Sequence, residues 1–186
     1  DCLMVTVSPV RERTASAWLN VLPSHDAVVR RQFSTFAARP MVRMRLQPER
    51  FAPVTCDGLV RLGMPDLPEL EALYAEDRPA FFIPSQLTDG VYFAVREGGR
   101  LVSVAGTHVV SGHGRVGALG NVFTRPECRD RGLAGAVASA VVADLLSRGI
   151  STIVLNIVAT NDPARRVYER IGFAEYCVYH EGEARR

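Results

Sequence analysis

The stretch RDRGLAGAV, residues 129–137, places two arginines and a glycine directly before a run of small apolar residues. Backbone N–H groups at the start of a helix lack partners within it, and the helix dipole adds positive potential there, so such a turn attracts anions. Gly132 and Ala134 would let a phosphate approach the main chain, while Arg129 and Arg131 would add charge-assisted hydrogen bonds. The turn therefore predicts a site for a phosphorylated ligand.

Two other phosphate-binding patterns are missing from the sequence. It contains no G-x-x-x-x-G-K-[ST] and no G-x-G-x-x-G opening a helix, so neither a P-loop nor a dinucleotide-binding turn is predicted. Taken alone, an Arg-x-x-Gly turn at a helix start is more often a surface loop whose arginines are solvated.

The elements that must position this turn follow from local patterns. Two strand-like runs, 91–97 and 100–110, are joined by Gly98-Gly99 and predict a hairpin, and residues 115–124 predict a third antiparallel strand. Apolar residues every four positions from Leu133 predict a helix ending near Gly149, and residues 150–158 form a buried strand after it. The fold class is therefore α/β (α+β), with an antiparallel meander continuing into a parallel βαβ crossover.

The chain also predicts an N-terminal segment distinct from the rest. Residues 27–38 have helical spacing after a cap at 24–26, and residues 41–46 alternate like a strand. The turn-rich residues 47–58 then suggest a boundary. We expect residues 1–50 to be an N-terminal extension or partial half-domain and residues 51–186 to be the main domain, which contains the arginine-glycine turn.

Composition limits the class of partner. Hydrophobic residues make up 47% of the chain and charged residues 23%, with a net charge of +2. These values are typical of a soluble globular protein, and the dispersed arginines argue against a nucleic-acid partner. No apolar run approaches the ~20 residues of a membrane helix. Cys2, Cys56, Cys128 and Cys177 form no C-x-x-C pair, so we expect reduced thiols, a cytoplasmic location and no metal site.

A second motif, NDPARRVYERIGF at residues 161–173, follows the predicted crossover. Together with the first, it resembles the GNAT superfamily of N-acetyltransferases. One signature of that family, Arg/Gln-x-x-Gly-x-Gly/Ala, is matched by Arg129, Gly132 and Ala134. A second, Asn-x-x-Ala-x-x-x-Tyr-x-x-x-Gly-Phe, is matched by Asn161, Ala164, Tyr168, Gly172 and Phe173. The C-terminal half looks like the branch that contains glycine N-acyltransferase-like enzymes.

The resemblance implies a GNAT-like mixed sheet with helices on both faces and acetyl-CoA as cosubstrate. It implies that Phe123 and Thr124 run beside the pantetheine arm of acetyl-CoA. It also implies that the turn with Arg129, Gly132 and Ala134 binds the pyrophosphate. The residues implied to contact acetyl-CoA are Val122, Phe123, Thr124, Arg129, Asp130, Arg131, Gly132, Leu133, Ala134, Gly135, Asn161, Ala164 and Tyr168.

The resemblance also implies catalytic roles. The backbone N–H of Val122 would stabilise the oxyanion, and Tyr168 would protonate the leaving thiolate, although Tyr168 also fits a core position on an apolar helical stripe. Many members carry a glutamate where this chain has Gly120. His108 is the best alternative base, yet a lone strand histidine is more often structural. A CoA-sensing module without turnover therefore stays an alternative to an enzyme.

The sequence does not identify the amine that would accept the acetyl group. We expect a small-molecule or peptide amine. A homodimer is compatible with the sequence. Phe81, Phe82 and Ile83 fit either a pocket lining or the core.

Overall fold

The computed structural model describes residues 16–75 and 82–186 of the chain. Its helices are Asp26–Gln32 (α1), Leu67–Tyr74 (α2), Gln86–Asp89 (α3), Leu133–Ser147 (α4) and Asp162–Arg170 (α5). Its strands are Ser16–Val21 (β1), Thr35–Leu46 (β2), Leu59–Arg61 (β3), Tyr92–Glu97 (β4), Arg100–Ser111 (β5), Val116–Thr124 (β6), Thr152–Val158 (β7) and Phe173–Arg185 (β8).

The chain divides into two compact units. Among the described residues, we call 16–44, 156–162 and 175–186 the terminal unit, and 45–75, 82–155 and 163–174 the central unit. In the terminal unit the strand order is β1-β8-β2-β7, with Trp18 of β1 opposite Glu183 of the antiparallel β8. In the central unit the order is β7-β6-β5-β4-β3.

The central unit confirms the predicted meander and crossover. Strands β3, β4, β5 and β6 pair in antiparallel fashion, and β6 pairs in parallel with β7. Gly98 and Gly99 both have positive φ at the turn between β4 and β5, which suits glycine because it lacks a Cβ. The fold is therefore a mixed α/β fold, as the local patterns indicated.

Helix α4 packs tightly against the sheet of the central unit. Its residues Ala136, Val137, Val141 and Leu145 are fully buried. A Cβ added at Gly117 of β6 would lie 2.9 Å from the Leu145 side chain, so the glycine gives the helix room to approach the strand. Gly117 and the small residues of α4 therefore let the helix lie close against β6.

The prediction of a helix over residues 27–38 is wrong beyond Gln32. Residues 35–46 form the single strand β2, and Phe36 is one of its buried residues. The backbone of β8 approaches so closely that a Cβ on Gly182 would lie 2.0 Å from the Ala37 carbonyl oxygen. Strand pairing within the terminal unit therefore overrides the weak local helical spacing.

The prediction of reduced thiols is wrong for Cys177. Cys177 is disulfide-bonded, whereas Cys56 and Cys128 are free thiols. Widely spaced cysteines carry no local signal of such a bond, because bonding depends on distance in the folded chain. In the described part of the chain, we find no cluster of His, Cys, Asp or Glu suited to a metal ion. No helix there combines the length and hydropathy needed to cross a membrane.

Candidate functional site

The amide predicted to stabilise the oxyanion lies at a β-bulge. Val104 of β5 pairs with Phe123 of β6, but Gly106 pairs with Gly120, so Asn121 and Val122 together oppose one residue of β5. Asn121 has a φ of 52°, in the left-handed region that asparagine tolerates better than most residues. A bulge disrupts the ladder locally and redirects its backbone groups. No local pattern in the sequence predicts this bulge.

A buried polar network fixes this bulge. The Tyr74 hydroxyl donates to the Asn121 carbonyl oxygen at 2.6 Å. The Asn121 side-chain amide donates to the Tyr92 hydroxyl at 2.7 Å and to Gln86 Oε1 at 3.0 Å. Burial raises the pKa of Tyr92 to about 12 and that of Tyr74 above the ordinary tyrosine range. Both phenols therefore stay neutral donors at physiological pH.

His108 occupies the space in front of Gly120. A Cβ added at Gly120 would lie 1.7 Å from the imidazole Nε2. The strand register shifts between Thr107 and Val109, which makes His108 the extra residue of a second bulge. The imidazole thus lies where a side chain at position 120 would begin, the position at which the family resemblance implies a glutamate.

A pocket opens beside this histidine. It has a volume of about 260 Å³ and is lined by Ile83, Ser85, Gln86, Asp89, Gly90, Thr107, His108, Val109 and Val110. Phe82 instead packs with the core, with its ring centroid 5.0 Å from that of Tyr74. Phe81 lies outside the described residues. The pocket combines an imidazole, a carboxylate and apolar side chains.

The arginine-glycine turn has the backbone expected of an anion site. Gly132 has a φ of 78° at the N-cap of α4, and Asp130 has a φ of 58°. Within the described part of the chain no side chain caps the helix, and its first turn contains no acidic residue. The first N–H groups of α4 therefore lack the carboxylate or hydroxyl that often satisfies a helix N-terminus.

The two arginines of the turn make different contacts. Arg131 forms a bidentate pair with Glu97 at the end of β4, with distances of 3.0 and 2.7 Å. This contact holds the pKa of Glu97 below its usual value. Arg129 instead donates through Nε to the Thr124 carbonyl oxygen at 3.3 Å. Sequence reasoning missed Glu97, since its proximity to Arg131 depends on strand order.

Tyr168 lies on α5 in the central unit. Val167 precedes Tyr168 in the chain, and a Cβ added at Gly135 of α4 would lie 3.8 Å from the Val167 side chain. Helix α5 therefore approaches the first turn of α4. The Tyr168 ring packs edge-on against Phe173, with centroids 6.0 Å apart. Burial raises the pKa of Tyr168 above the ordinary tyrosine range, so its phenol stays protonated.

The remaining predicted residues divide between the units. Asn161 belongs to the terminal unit, where its N–H donates to the Val158 carbonyl oxygen at 2.9 Å. The central unit contains the others: His108, Val122, Phe123, Thr124, Arg129, Asp130, Arg131, Gly132, Leu133, Ala134, Gly135, Ala164 and Tyr168.

Known proteins resemble parts of this chain. The family model described as FR47-like protein matches residues 99–181. The mycothiol acetyltransferase of Arthrobacter sp. (strain FB24) is 34% identical over 111 residues, which are 58% of this chain and 32% of that protein. The mycothiol acetyltransferase of Corynebacterium aurimucosum is 32% identical over 88 residues, which are 44% of this chain and 29% of that protein. The chain thus spans about a third of the length of these curated relatives.

A solved structure matches more of the chain. A GNAT-family protein from Novosphingobium aromaticivorans has a TM-score of 0.73 and 25% identity, covering 92% of this chain and 75% of that one. The FR47-like match includes β5, β6, the arginine-glycine turn and α5. Sequence relatives and structural similarity thus agree with the two motifs and the mixed sheet. Together these matches support assignment to the GNAT superfamily of N-acetyltransferases, the family that the two motifs resemble.

Proposed function

We propose that the chain is an acetyl-CoA-dependent N-acetyltransferase that transfers an acetyl group to a primary amine. The observation that carries the proposal is the uncapped N-terminus of α4 behind Gly132, in the same compact unit as the Val122 bulge and Tyr168. The names of the mycothiol acetyltransferase relatives support acetyl transfer as the reaction class.

Acetyl-CoA would be held mainly by main-chain groups. The N–H groups of Gly132, Leu133 and Ala134 would bind the pyrophosphate, helped by the dipole of the fifteen-residue helix α4. The described pairing of β6 with β7 ends at Leu119, whereas β6 continues to Thr124. The later part of β6 is therefore available to an extended pantetheine arm.

The reaction follows from these positions. The nitrogen lone pair of a neutral amine attacks the thioester carbonyl carbon, and the Val122 N–H stabilises the oxyanion of the tetrahedral intermediate. The intermediate collapses, the carbon–sulfur bond breaks, and the CoA thiolate takes a proton from the Tyr168 phenol. His108 accepts the proton that the attacking nitrogen loses.

The pocket beside His108 would receive the acceptor. Its volume of about 260 Å³ suits a small amine, since pockets for drug-sized ligands begin near ~300 Å³. The Asp89 carboxylate would attract the ammonium form of the amine, which releases one proton to solvent before the neutral amine attacks.

A CoA sensor without turnover is the second candidate. Gly120 is the observation that favours it, because the glutamate implied by the family resemblance is missing there. Turnover by the wild-type protein would exclude this candidate.

Acetyl-CoA should stabilise the protein against thermal unfolding, whereas adenosine should not. A ligand at a hundred times its Kd adds ~2.7 kcal/mol, which for a chain of this size raises Tm by roughly 5–10 °C. Adenosine is the control, because it lacks the pyrophosphate that the turn would bind. Equal Tm values with and without excess acetyl-CoA would contradict the cofactor assignment.

His108 and Gly120 should behave as a compensating pair. His108→Ala should lower kcat by about 10²-fold, a typical contribution of a general base. The Gly120→Glu variant should also have a lowered kcat, because the Cβ of the new side chain would lie 1.7 Å from the His108 imidazole. The double variant has both the space and a carboxylate, so we expect kcat to recover at least tenfold over His108→Ala. Steady-state kinetics on folded variants would measure this, and wild-type kcat in His108→Ala would exclude the base role.

A further inference from the structure

We propose that Tyr74 is a positioning residue that aims and polarises the Val122 N–H for oxyanion stabilisation. The inference rests on the proposed function. It assigns a specific task to a residue that the motifs of the sequence do not include.

The argument starts from a single peptide plane. The carbonyl of Asn121 and the N–H of Val122 belong to the same planar peptide group, and in a trans peptide they point in opposite directions. The Tyr74 hydroxyl donates to that carbonyl oxygen at 2.6 Å. The bond therefore fixes the direction of the Val122 N–H from the far side of the plane.

The same bond strengthens the donor. A hydrogen bond accepted by a carbonyl draws electron density from the amide nitrogen, and linked hydrogen bonds reinforce one another. Burial raises the pKa of Tyr74, which keeps its hydroxyl protonated and donating at all physiological pH values. The Val122 N–H thus becomes a better donor to a developing oxyanion.

The Tyr74 hydroxyl supports the Asn121 peptide, which the aromatic ring alone could not do. Tyr74 is 2% exposed and belongs to a core cluster with Leu70, Leu73 and Phe123, where a phenylalanine would fill the same space. The bulge at Asn121 has a left-handed backbone, so its peptide needs support beyond the strand ladder. Tyr74 supplies that support to the carbonyl, whereas Tyr92 and Gln86 hold only the Asn121 side chain.

The test is Tyr74→Phe in the full chain. We expect kcat to fall about tenfold to a hundredfold, less than the ~10²–10³ for losing an oxyanion donor itself. The Kd of acetyl-CoA should stay within about twofold of wild type, because the oxyanion exists only during reaction. The infrared carbonyl stretch of bound [1-¹³C]acetyl-CoA should move to higher frequency, since the thioester carbonyl is less polarised.

Two comparisons keep the test decisive. Tyr92→Phe removes another buried hydroxyl of the network without touching the Asn121 carbonyl, so it should keep the wild-type carbonyl frequency. Replacement of Tyr74 by 3-fluorotyrosine keeps the ring and makes the hydroxyl a stronger donor, so it should lower the frequency. The 3-fluorotyrosine variant tests the proposal if Tyr74→Phe does not fold.

The outcomes separate the two proposals. Wild-type turnover together with an unchanged kcat and frequency in Tyr74→Phe would overturn the role of Tyr74 alone. An equal frequency shift in Tyr92→Phe would also overturn it, because general loosening of the network would then explain both. Failure of the wild-type protein to acetylate any amine would overturn the proposed function and this inference with it.

Discussion

Gly132→Glu should abolish acetyl-CoA binding while the protein remains folded. The substitution places a carboxylate at the N-cap of α4, where the pyrophosphate would sit. Two like charges about 4 Å apart repel by ~1–4 kcal/mol near a protein surface, and the pyrophosphate carries more than one charge. We expect the Kd measured by titration calorimetry to rise at least about 100-fold.

Gly149→Glu is the matched control. Gly149 follows α4 at its other end with a φ of 76°, close to the 78° of Gly132, and an added Cβ meets nothing within 4 Å at either position. Both variants therefore have the same backbone strain and the same charge change, but only one places charge at the proposed site. A similar loss of affinity in both variants, or in neither, would contradict the assignment of the turn.

Tyr168→Phe should lower kcat by ~10²–10⁴-fold, the usual contribution of a general acid, with little change in CoA affinity. The phenylalanine keeps the edge-on contact with Phe173, so the core should tolerate the change. Because burial raises the pKa of Tyr168, wild-type kcat should show no loss from phenol ionisation below about pH 10. Steady-state kinetics with the acceptor at saturation would measure both effects.

Tyr179→Phe is the control for Tyr168. Tyr179 is also a buried tyrosine whose pKa is raised, but it lies on β8 in the terminal unit. Its hydroxyl has no role in the proposed proton transfer, so kcat should change by less than about twofold. Wild-type kcat in Tyr168→Phe would remove the general acid from the mechanism.

The contacts of the arginines change the explanation of the arginine-glycine turn. Arg131 pairs with Glu97, and Arg129 contacts the Thr124 carbonyl oxygen. The arginines thus connect the turn to β4 and β6, and in the proposed site the main chain behind Gly132 would provide the main anion-binding surface. Arg131 must share its guanidinium between Glu97 and any bound pyrophosphate.

Local features of the sequence determined the turn before α4, the hairpin at Gly98-Gly99 and the crossover from β6 to β7. Turn chemistry, helical spacing and capping act over a few residues, so a single sequence reveals them. The same reasoning failed for residues 33–38, because strand pairing in the terminal unit outweighs a weak local preference.

Only the tertiary structure decided the bulge at Asn121, the bond from Tyr74 to its carbonyl and the imidazole over Gly120. Each depends on the register between neighbouring strands. A shift of one residue would change which side chains meet, and register is set by contacts between residues far apart in the chain. The sequence thus contained the two motifs that we predict to bind the cofactor, whereas the tertiary structure alone revealed the hydrogen bond that supports the predicted oxyanion amide and the position of the candidate base.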